Sequence, residues 1–185
     1  MQTVEIVLIA FALSIDAFVV ALAAAASGRI ENRRAALRMS FHFGLFQALM
    51  PVLGWAAGAT LERVISVFDH WVAFALLAVI GARMIHAGCK GEKVPRADDP
   101  SRGLTLVALC TAVSIDALAV GLSLAMLGVA IWVPSAIIGI TTLVVSFVGA
   151  QTGGRLQARL GRAAELAGGL ILIAIAVRIV LSHMA

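Results

Sequence analysis

The chain has 185 residues, of which 62% are hydrophobic and only 13% are charged. Soluble domains are about half apolar and about one quarter charged. This composition therefore excludes an ordinary soluble protein, and the length limits the chain to a handful of membrane spans of about 20 residues each. The net charge of +4 does not indicate a nucleic-acid partner, because the basic residues form short clusters between apolar runs without interleaved aromatic side chains.

Six apolar segments predict an all-α membrane protein with six transmembrane helices. They cover residues 3–26, 35–59, 71–88, 104–127, 131–153 and 163–182. Positive charge is concentrated around the loops after the first, third and fifth segments. The basic residues there are Arg29, Arg33, Arg34, Arg38, Lys90, Lys93, Arg96, Arg102, Arg155, Arg159 and Arg162. Since positively charged loops stay in the cytoplasm, both termini are expected on the outside.

A polar linker at 89–102 divides the membrane domain into two halves, 1–88 and 103–185. Each half contains the tetrapeptide Ser-Ile-Asp-Ala, at 14–17 and 114–117, within a longer match of ten residues. Further matches follow at a slightly shorter offset: Gly54 with Gly149, Gly58 with Gly153, and Arg83 with Arg178. Each half has three spans, an odd number, so the second half must enter the membrane in the opposite sense. This predicts two inverted three-helix repeats.

The two aspartates of the repeated motif, Asp16 and Asp116, are the leading candidates for a functional site. A carboxylate at the centre of a transmembrane helix costs about 2.5 to 3.5 kcal/mol on insertion scales, so such groups are kept for a function. Equivalent residues of inverted repeats can meet at the membrane midplane, where transporters bind their substrate. We therefore expect the two carboxylates to form one midplane site.

Polar residues on the neighbouring spans extend this candidate site. Gln47 is a candidate ligand, and the kink expected at Pro51 leaves a backbone carbonyl without its donor. Candidates for a supporting role or for the ion path are Ser14, Ser114, Thr142, Ser146, Pro51, Arg83, Arg178 and His42. The two serines of the motif are expected to contribute through a locally bent helix or by bonding backbone carbonyls. The glycines of the second and fifth spans are interpreted as a helix-packing seam.

The ligand set is made of oxygen atoms without nearby thiolates or imidazoles, and such sites favour Mg²⁺, Ca²⁺ or Mn²⁺ over Cu and Zn. Two converging aspartates would neutralise one divalent cation. Without the metal, the two carboxylates would repel one another, and at least one of them should take up a proton. The residues alone therefore predict a divalent-cation carrier that exchanges the cation for protons.

Several stretches resemble the bacterial manganese efflux pump family of the MntP type, within the lysine-exporter-like group of small exporters. They are the two Ser-Ile-Asp-Ala motifs with Phe18 and with 118–121, the stretch 47–55, His70 with Trp71, and 81–85. The resemblance covers the whole chain. It implies a multi-pass protein of the bacterial inner membrane that exports Mn²⁺ as a transported substrate, with the family's intramembrane aspartates at Asp16 and Asp116.

Other functions are open at the level of the sequence. A carrier of this kind could export a cationic amino acid or another divalent metal, since carboxylates also bind ammonium groups. The two cysteines, Cys89 and Cys110, allow a thiol-redox membrane protein, although their spacing forms no CxxC motif. A scaffold without transport is a further alternative. ATP-driven pumping is not expected, because the chain has no GxxxxGK[ST] motif, and the oligomeric state is left open.

Overall fold

The computed structural model describes residues 3–30, 32–57 and 100–160, together with scattered positions within 78–89 and 163–177. Four long helices lie in this part of the chain: α1 (Thr3–Ala26), α2 (Arg33–Ala57), α3 (Gly103–Met126) and α4 (Trp132–Leu160). They correspond to the first, second, fourth and fifth predicted spans. Of the third and sixth predicted spans, only those scattered positions are described.

Three of the four helices are long and apolar enough to cross a membrane. These candidate spans cover Val4–Ala26, Gly103–Met126 and Trp132–Leu156. Helix α2 has the predicted position, but over its described residues it is not among the candidate spans. Its 25 residues include Arg33, Arg34 and Arg38 at one end and the polar side chains of His42 and Gln47 further along.

The fifth predicted span ends earlier than the helix that contains it. The apolar run predicts an end at 153, whereas α4 continues to Leu160. Arg155 and Arg159 are exposed on the last turns. Charged residues therefore end the apolar segment without ending the helix, because exposed arginine is a good helix former.

Helices α1 and α3 end in the same way, as expected for duplicated units. Gly28 has a φ of 73° and Gly128 a φ of 66°, a left-handed conformation that glycine adopts without steric cost. The Gly28 N–H donates to the Ala25 carbonyl at 3.1 Å, and the Gly128 N–H donates to the Ala125 carbonyl at 3.0 Å. Both helices thus end in a turn of the same geometry, and the two turns are one hundred positions apart in the chain.

Helix α2 begins with a cap and is anchored at both ends. The Asn32 side-chain oxygen accepts a hydrogen bond from the Ala35 N–H at 2.8 Å, as an N-cap residue does. At the same end, the Arg38 guanidinium donates to the carbonyl and the hydroxyl of Ser101, which precedes α3. At the other end, the Trp55 indole donates to the Val129 carbonyl at 3.0 Å, in the turn between α3 and α4.

Helix α1 packs along α4, and α2 packs against both α3 and α4, whereas α1 meets α2 and α3 only over short stretches. In the α1–α4 seam, Gly149 faces the carbonyl of Phe18, and Gly153 faces the carbonyl of Leu22. Both contacts have the same offset, so α1 and α4 run parallel. A Cβ added at Gly149 would lie 2.6 Å from the Phe18 oxygen, too close for any other residue without a shift.

The α2–α3 seam has the equivalent arrangement. Gly54 of α2 lies against the Leu118 carbonyl, and Gly121 of α3 lies against the Pro51 carbonyl. The Gly54 contact matches the Gly149 contact of the other seam by the repeat, since Leu118 is the counterpart of Phe18. Close backbone approach at small residues is the usual basis of helix association in membranes. The sequence prediction of glycine packing seams is thus confirmed at these positions.

Helices α2 and α4 pack antiparallel through a pair of glycines. A Cβ added at Gly44 would lie 2.7 Å from the Gly139 carbonyl oxygen, and one at Gly139 would lie 2.8 Å from the Gly44 oxygen. Four residues away on either helix, the Ser135 hydroxyl donates to the Ala48 carbonyl. Helix α1 runs parallel to α4. Helix α3 runs parallel to α2, because contacts join their starts at Arg38 and Ser101 and their far ends at Trp55 and Val129. The equivalent helices α1 and α3 therefore run in opposite directions.

Candidate functional site

Each candidate aspartate lies near the middle of its helix, Asp16 on α1 and Asp116 on α3. Both side chains are exposed on the described surface, while the next residue in each motif, Ala17 or Ala117, is fully buried. One carboxylate oxygen of Asp116 accepts a hydrogen bond from the Ala117 N–H at 2.8 Å. The repeated motif therefore places its small residue in the helix seam and its carboxylate beside the seam.

The serines of the motif are buried and bonded to their own helices. The Ser14 hydroxyl donates to the Phe11 carbonyl at 2.7 Å, and the Ser114 hydroxyl donates to the Cys110 carbonyl at 2.7 Å. Of the two expected contributions, the bond to a backbone carbonyl is confirmed for both serines. Each hydroxyl proton is used in a hydrogen bond to the preceding turn. Only the oxygen lone pairs of these serines are then available to a ligand.

Gln47 connects α2 to the turn of α1 that precedes Asp16. Its side-chain N–H donates to the Leu13 carbonyl at 3.0 Å, and the residue is fully buried. The amide oxygen of Gln47 has no hydrogen-bond partner. Pro51, also buried, has no N–H to offer the Gln47 backbone carbonyl one turn earlier. The Gln47 side chain is thus fixed through its amide nitrogen, and its amide oxygen is available to a ligand.

Two further candidates lie on α4. Thr142 is fully buried and its hydroxyl has no hydrogen-bond partner. Ser146 is also fully buried, and its hydroxyl donates to the Leu143 carbonyl at 3.3 Å. By the offset of the second and fifth spans, Thr142 is the counterpart of Gln47. The two open oxygens therefore occupy equivalent positions of the two repeats.

The position of Asp16 along the bundle follows from the α1–α4 seam. Phe18 lies against Gly149, so Asp16, two residues earlier, is level with Phe147. Phe147 lies eight residues beyond Gly139, where α4 crosses α2. Asp16 therefore lies beside the part of α4 that follows the crossing.

Asp116 has the corresponding position on the other seam. Leu118 lies against Gly54 and Gly121 lies against Pro51, so Asp116 lies beside the stretch 46–52 of α2, beyond Gly44. Because α2 and α4 are antiparallel, the two aspartates flank their crossing on opposite sides. One ion held by both carboxylates stays a prediction.

The remaining candidates lie at the edge of this site or outside the described residues. His42 is half-buried, its Nδ1 lies 2.7 Å from the Arg38 carbonyl oxygen, and its ring meets Phe41 edge-on at 5.6 Å. It therefore belongs to the end of α2 that is anchored to Ser101. Arg83 and Arg178 lie outside the described residues.

The described residues contain no group of three or more His, Cys, Asp or Glu side chains that could hold a metal ion. Gln47 and Thr142 supply neutral side-chain oxygens without hydrogen-bond partners in this part of the chain. Cys89 is exposed and Cys110 is buried, and both thiols are free. The cysteines thus form no disulfide with one another.

Sequence reasoning missed Ser40 and the contact of Arg38 with Ser101. Ser40 is fully buried on α2, and its hydroxyl has no hydrogen-bond partner. It precedes Gly44 by four residues, as Ser135 precedes Gly139. This repeated Ser-xxx-Gly spacing was present in the sequence and could have identified the position.

Long apolar helices, small-residue seams and ionisable groups at mid-helix define a multi-pass helical membrane protein. Comparison with known families identifies the family of membrane proteins to which the chain belongs. The model of the family described as "Putative manganese efflux pump" matches residues 30–180, and the chain belongs to this MntP family.

Individual relatives align over nearly the whole chain. A protein of Syntrophotalea carbinolica is 48% identical over 176 residues, which cover 95% of this chain and 94% of the relative. Proteins of Nitratidesulfovibrio vulgaris strain DP4 and Actinobacillus succinogenes are 47% and 46% identical, and cover 99% and 95% of this chain and 92% and 94% of their own lengths. All three are named "Putative manganese efflux pump MntP", a name that describes transport and not an enzyme. No solved structure gives a significant match.

Proposed function

We propose that this chain is a secondary transporter of the bacterial inner membrane that exports Mn²⁺ from the cytoplasm in exchange for protons. The observation that carries the proposal is the duplicated aspartate, Asp16 and Asp116, at mid-helix on two helices that run in opposite directions. Membership in the MntP family supports the metal and the direction of transport. The complete fold in this proposal has six spans, as two inverted three-helix repeats of residues 1–88 and 103–185 joined by the linker 89–102.

The exposed faces of α1 and α3 at the aspartates line the ion path in this proposal. A carboxylate facing hydrocarbon is costly, so a charge at this depth belongs beside water or polar groups. Because loop charge places the start of α2 and the end of α4 toward the cytoplasm, Asp16 lies on the cytoplasmic side of the α2–α4 crossing. Asp116 lies on the outer side.

The exchange uses each carboxylate in turn for the metal and for a proton. Mn²⁺ from the cytoplasm binds Asp16, with Gln47 as a neutral oxygen ligand, and displaces the proton that Asp16 carries in the metal-free state; this proton leaves to the cytoplasm. Protons arriving from the outside neutralise Asp116 and release the metal there. Alternating access then arises from movement of the α1–α4 pair against the α2–α3 pair.

Growth of a bacterium that lacks its own manganese exporter tests this function. Expression of the chain should restore growth at toxic Mn²⁺ concentrations and lower the cellular manganese content, measured by elemental analysis. Vesicle transport with competing substrates separates the alternatives. Lysine transport that Mn²⁺ does not inhibit would favour a cationic amino acid exporter, and normal transport by a cysteine-free variant removes the thiol-redox alternative.

A further inference from the structure

Three side-chain oxygens without hydrogen-bond partners lie in the α2–α4 region. They are the hydroxyls of Ser40 and Thr142 and the amide oxygen of Gln47. Each of these residues is 0% exposed. A hydroxyl or amide oxygen that is removed from solvent is costly unless it is paired. Three such atoms on two facing helices therefore point to a ligand that they share.

The antiparallel register places these oxygens around the Gly44–Gly139 crossing. Ser40 lies one turn before Gly44, and Thr142 lies just under one turn after Gly139, so both are on the same side of the crossing. The contact of Ser135 with Ala48 sets Ser40 opposite Leu143, the neighbour of Thr142. The Gln47 backbone lies one turn beyond Gly44. Its side chain reaches back toward the start of α2 and bonds the Leu13 carbonyl of α1, on the side of Asp16.

Ser135, the counterpart of Ser40 in the second repeat, makes a hydrogen bond between the two helices. The Ser135 hydroxyl donates to the carbonyl of Ala48, four residues past Gly44. The equivalent acceptor for Ser40 is the carbonyl of Leu143, four residues past Gly139, and Ser40 does not use it. Both repeats thus have the serine, but the Ser135 hydroxyl is bonded within the protein and the Ser40 hydroxyl is available to a ligand.

We propose that the Ser40 and Thr142 hydroxyls, together with the Gln47 amide oxygen, form a neutral oxygen relay that holds the transported divalent cation between Asp16 and Asp116. The relay rests on the proposed function. Its place follows from the seams, since the two aspartates lie beyond the crossing on opposite sides and the three residues of the relay lie within about one turn of it.

The ligands of the relay suit a cation that is bound only transiently during transport. Hydroxyl and amide oxygens are hard ligands that replace part of the water shell of Mn²⁺. Conduction requires sites that bind well enough to admit the ion and weakly enough to release it. Neutral oxygens between two carboxylates meet this requirement, because the strong anionic ligands are left at the two ends.

The test uses the full-length protein in liposomes that contain a Mn²⁺-sensitive dye. Thr142→Val keeps the side-chain shape and removes the hydroxyl, and Ser40→Ala removes the other. Each should slow Mn²⁺ flux about tenfold, the loss expected for one oxygen ligand. Thr142→Ser restores the hydroxyl and should recover most of the flux. Thr152→Val is the matched control, because Thr152 is exposed on α4 and its hydroxyl bonds the Val148 carbonyl of its own helix.

Thermal unfolding of the same samples separates a ligand role from a packing role. The relay predicts that Thr142→Val and Ser40→Ala unfold at or above the wild-type temperature, because neither hydroxyl stabilises the fold through a bond and an unpaired buried hydroxyl is costly. Wild-type flux in both variants would overturn the relay alone. Equal losses of flux in Thr142→Ser and Thr142→Val, with lowered unfolding temperatures, would also overturn it. A wild-type protein that moves no Mn²⁺ would overturn the relay and the proposed function together.

Discussion

The α1–α4 seam and the α2–α3 seam are two versions of one helix pair, and they differ in where the glycines come from. In the first seam, Gly149 and Gly153 of α4 both face carbonyls of α1. In the second, Gly54 of α2 and Gly121 of α3 each face a carbonyl of the opposite helix. The counterpart of Gly121 in α1 is Ala21, which is fully buried. The duplication therefore keeps the close approach at Gly54 and Gly149, and α3 has a glycine where α1 has an alanine.

The polar residues at the α2–α4 crossing have diverged further than the seams. Ser135 is bonded across the helices and Ser40 is not, and Gln47 faces Leu13 whereas its counterpart Thr142 has no partner. Backbone packing is thus nearly symmetric, and side-chain bonding is asymmetric.

The largest effect is expected where the two repeats are most alike, at the aspartates. Asp16→Asn and Asp116→Asn should each reduce Mn²⁺ export to the level of liposomes without protein, because the neutral amide neither balances the metal charge nor carries a proton. Membrane insertion should be unchanged. Glu5→Gln, an exposed change in the first turn of α1, is the control and should export normally. Full activity in either Asn variant would show that one repeat suffices.

The seams predict a contrast between two adjacent glycines. Gly153→Ala should lower the free energy of unfolding by about 1–3 kcal/mol, because the new methyl group meets the Leu22 carbonyl. Gly154→Ala should be neutral or raise it by up to about 1 kcal/mol, since nothing lies near that position and alanine favours helix. Denaturant unfolding in detergent measures both. Equal stabilities would contradict the close approach of α1 and α4.

The anchor of α2 has no counterpart among the described contacts of α4, so its loss should affect one repeat. Arg38→Ala removes the hydrogen bonds to Ser101 and should lower the free energy of unfolding by about 1.5 kcal/mol. Arg34→Ala, a change of the same charge at an exposed position, serves as the control. If both variants lose the same stability, the effect comes from charge and not from the contact with Ser101.

The smallest effect is expected at the two matching turns. Gly28→Ala and Gly128→Ala should each lower the free energy of unfolding by about 1 kcal/mol, because both glycines have positive φ. Asparagine should be tolerated better than alanine at both sites. Thermal unfolding of the four variants tests whether the turns remain equivalent. A large difference between positions 28 and 128 would show that one turn has gained another role.

Apolarity and repetition in the sequence predict much of this fold. The ends of α1 agree with the first predicted span, and those of α3 differ by one residue from the fourth. The end of α4 was missed, because apolarity defines the membrane segment and hydrogen bonding defines the helix. Ser40 was missed because its importance depends on a register between two helices that are distant in sequence. The separation of Asp16 from Asp116 by the crossing depends on the same register.

Coupled transport in liposomes tests the central claim most directly. Mn²⁺ and proton movements are recorded together with two dyes, in liposomes with an imposed pH gradient and the full-length protein. The account predicts that a proton gradient drives Mn²⁺ movement in the opposite direction, and that Asp16→Asn and Asp116→Asn each abolish both signals. Mn²⁺ movement that is independent of the proton gradient, or that persists in both variants, would contradict the account.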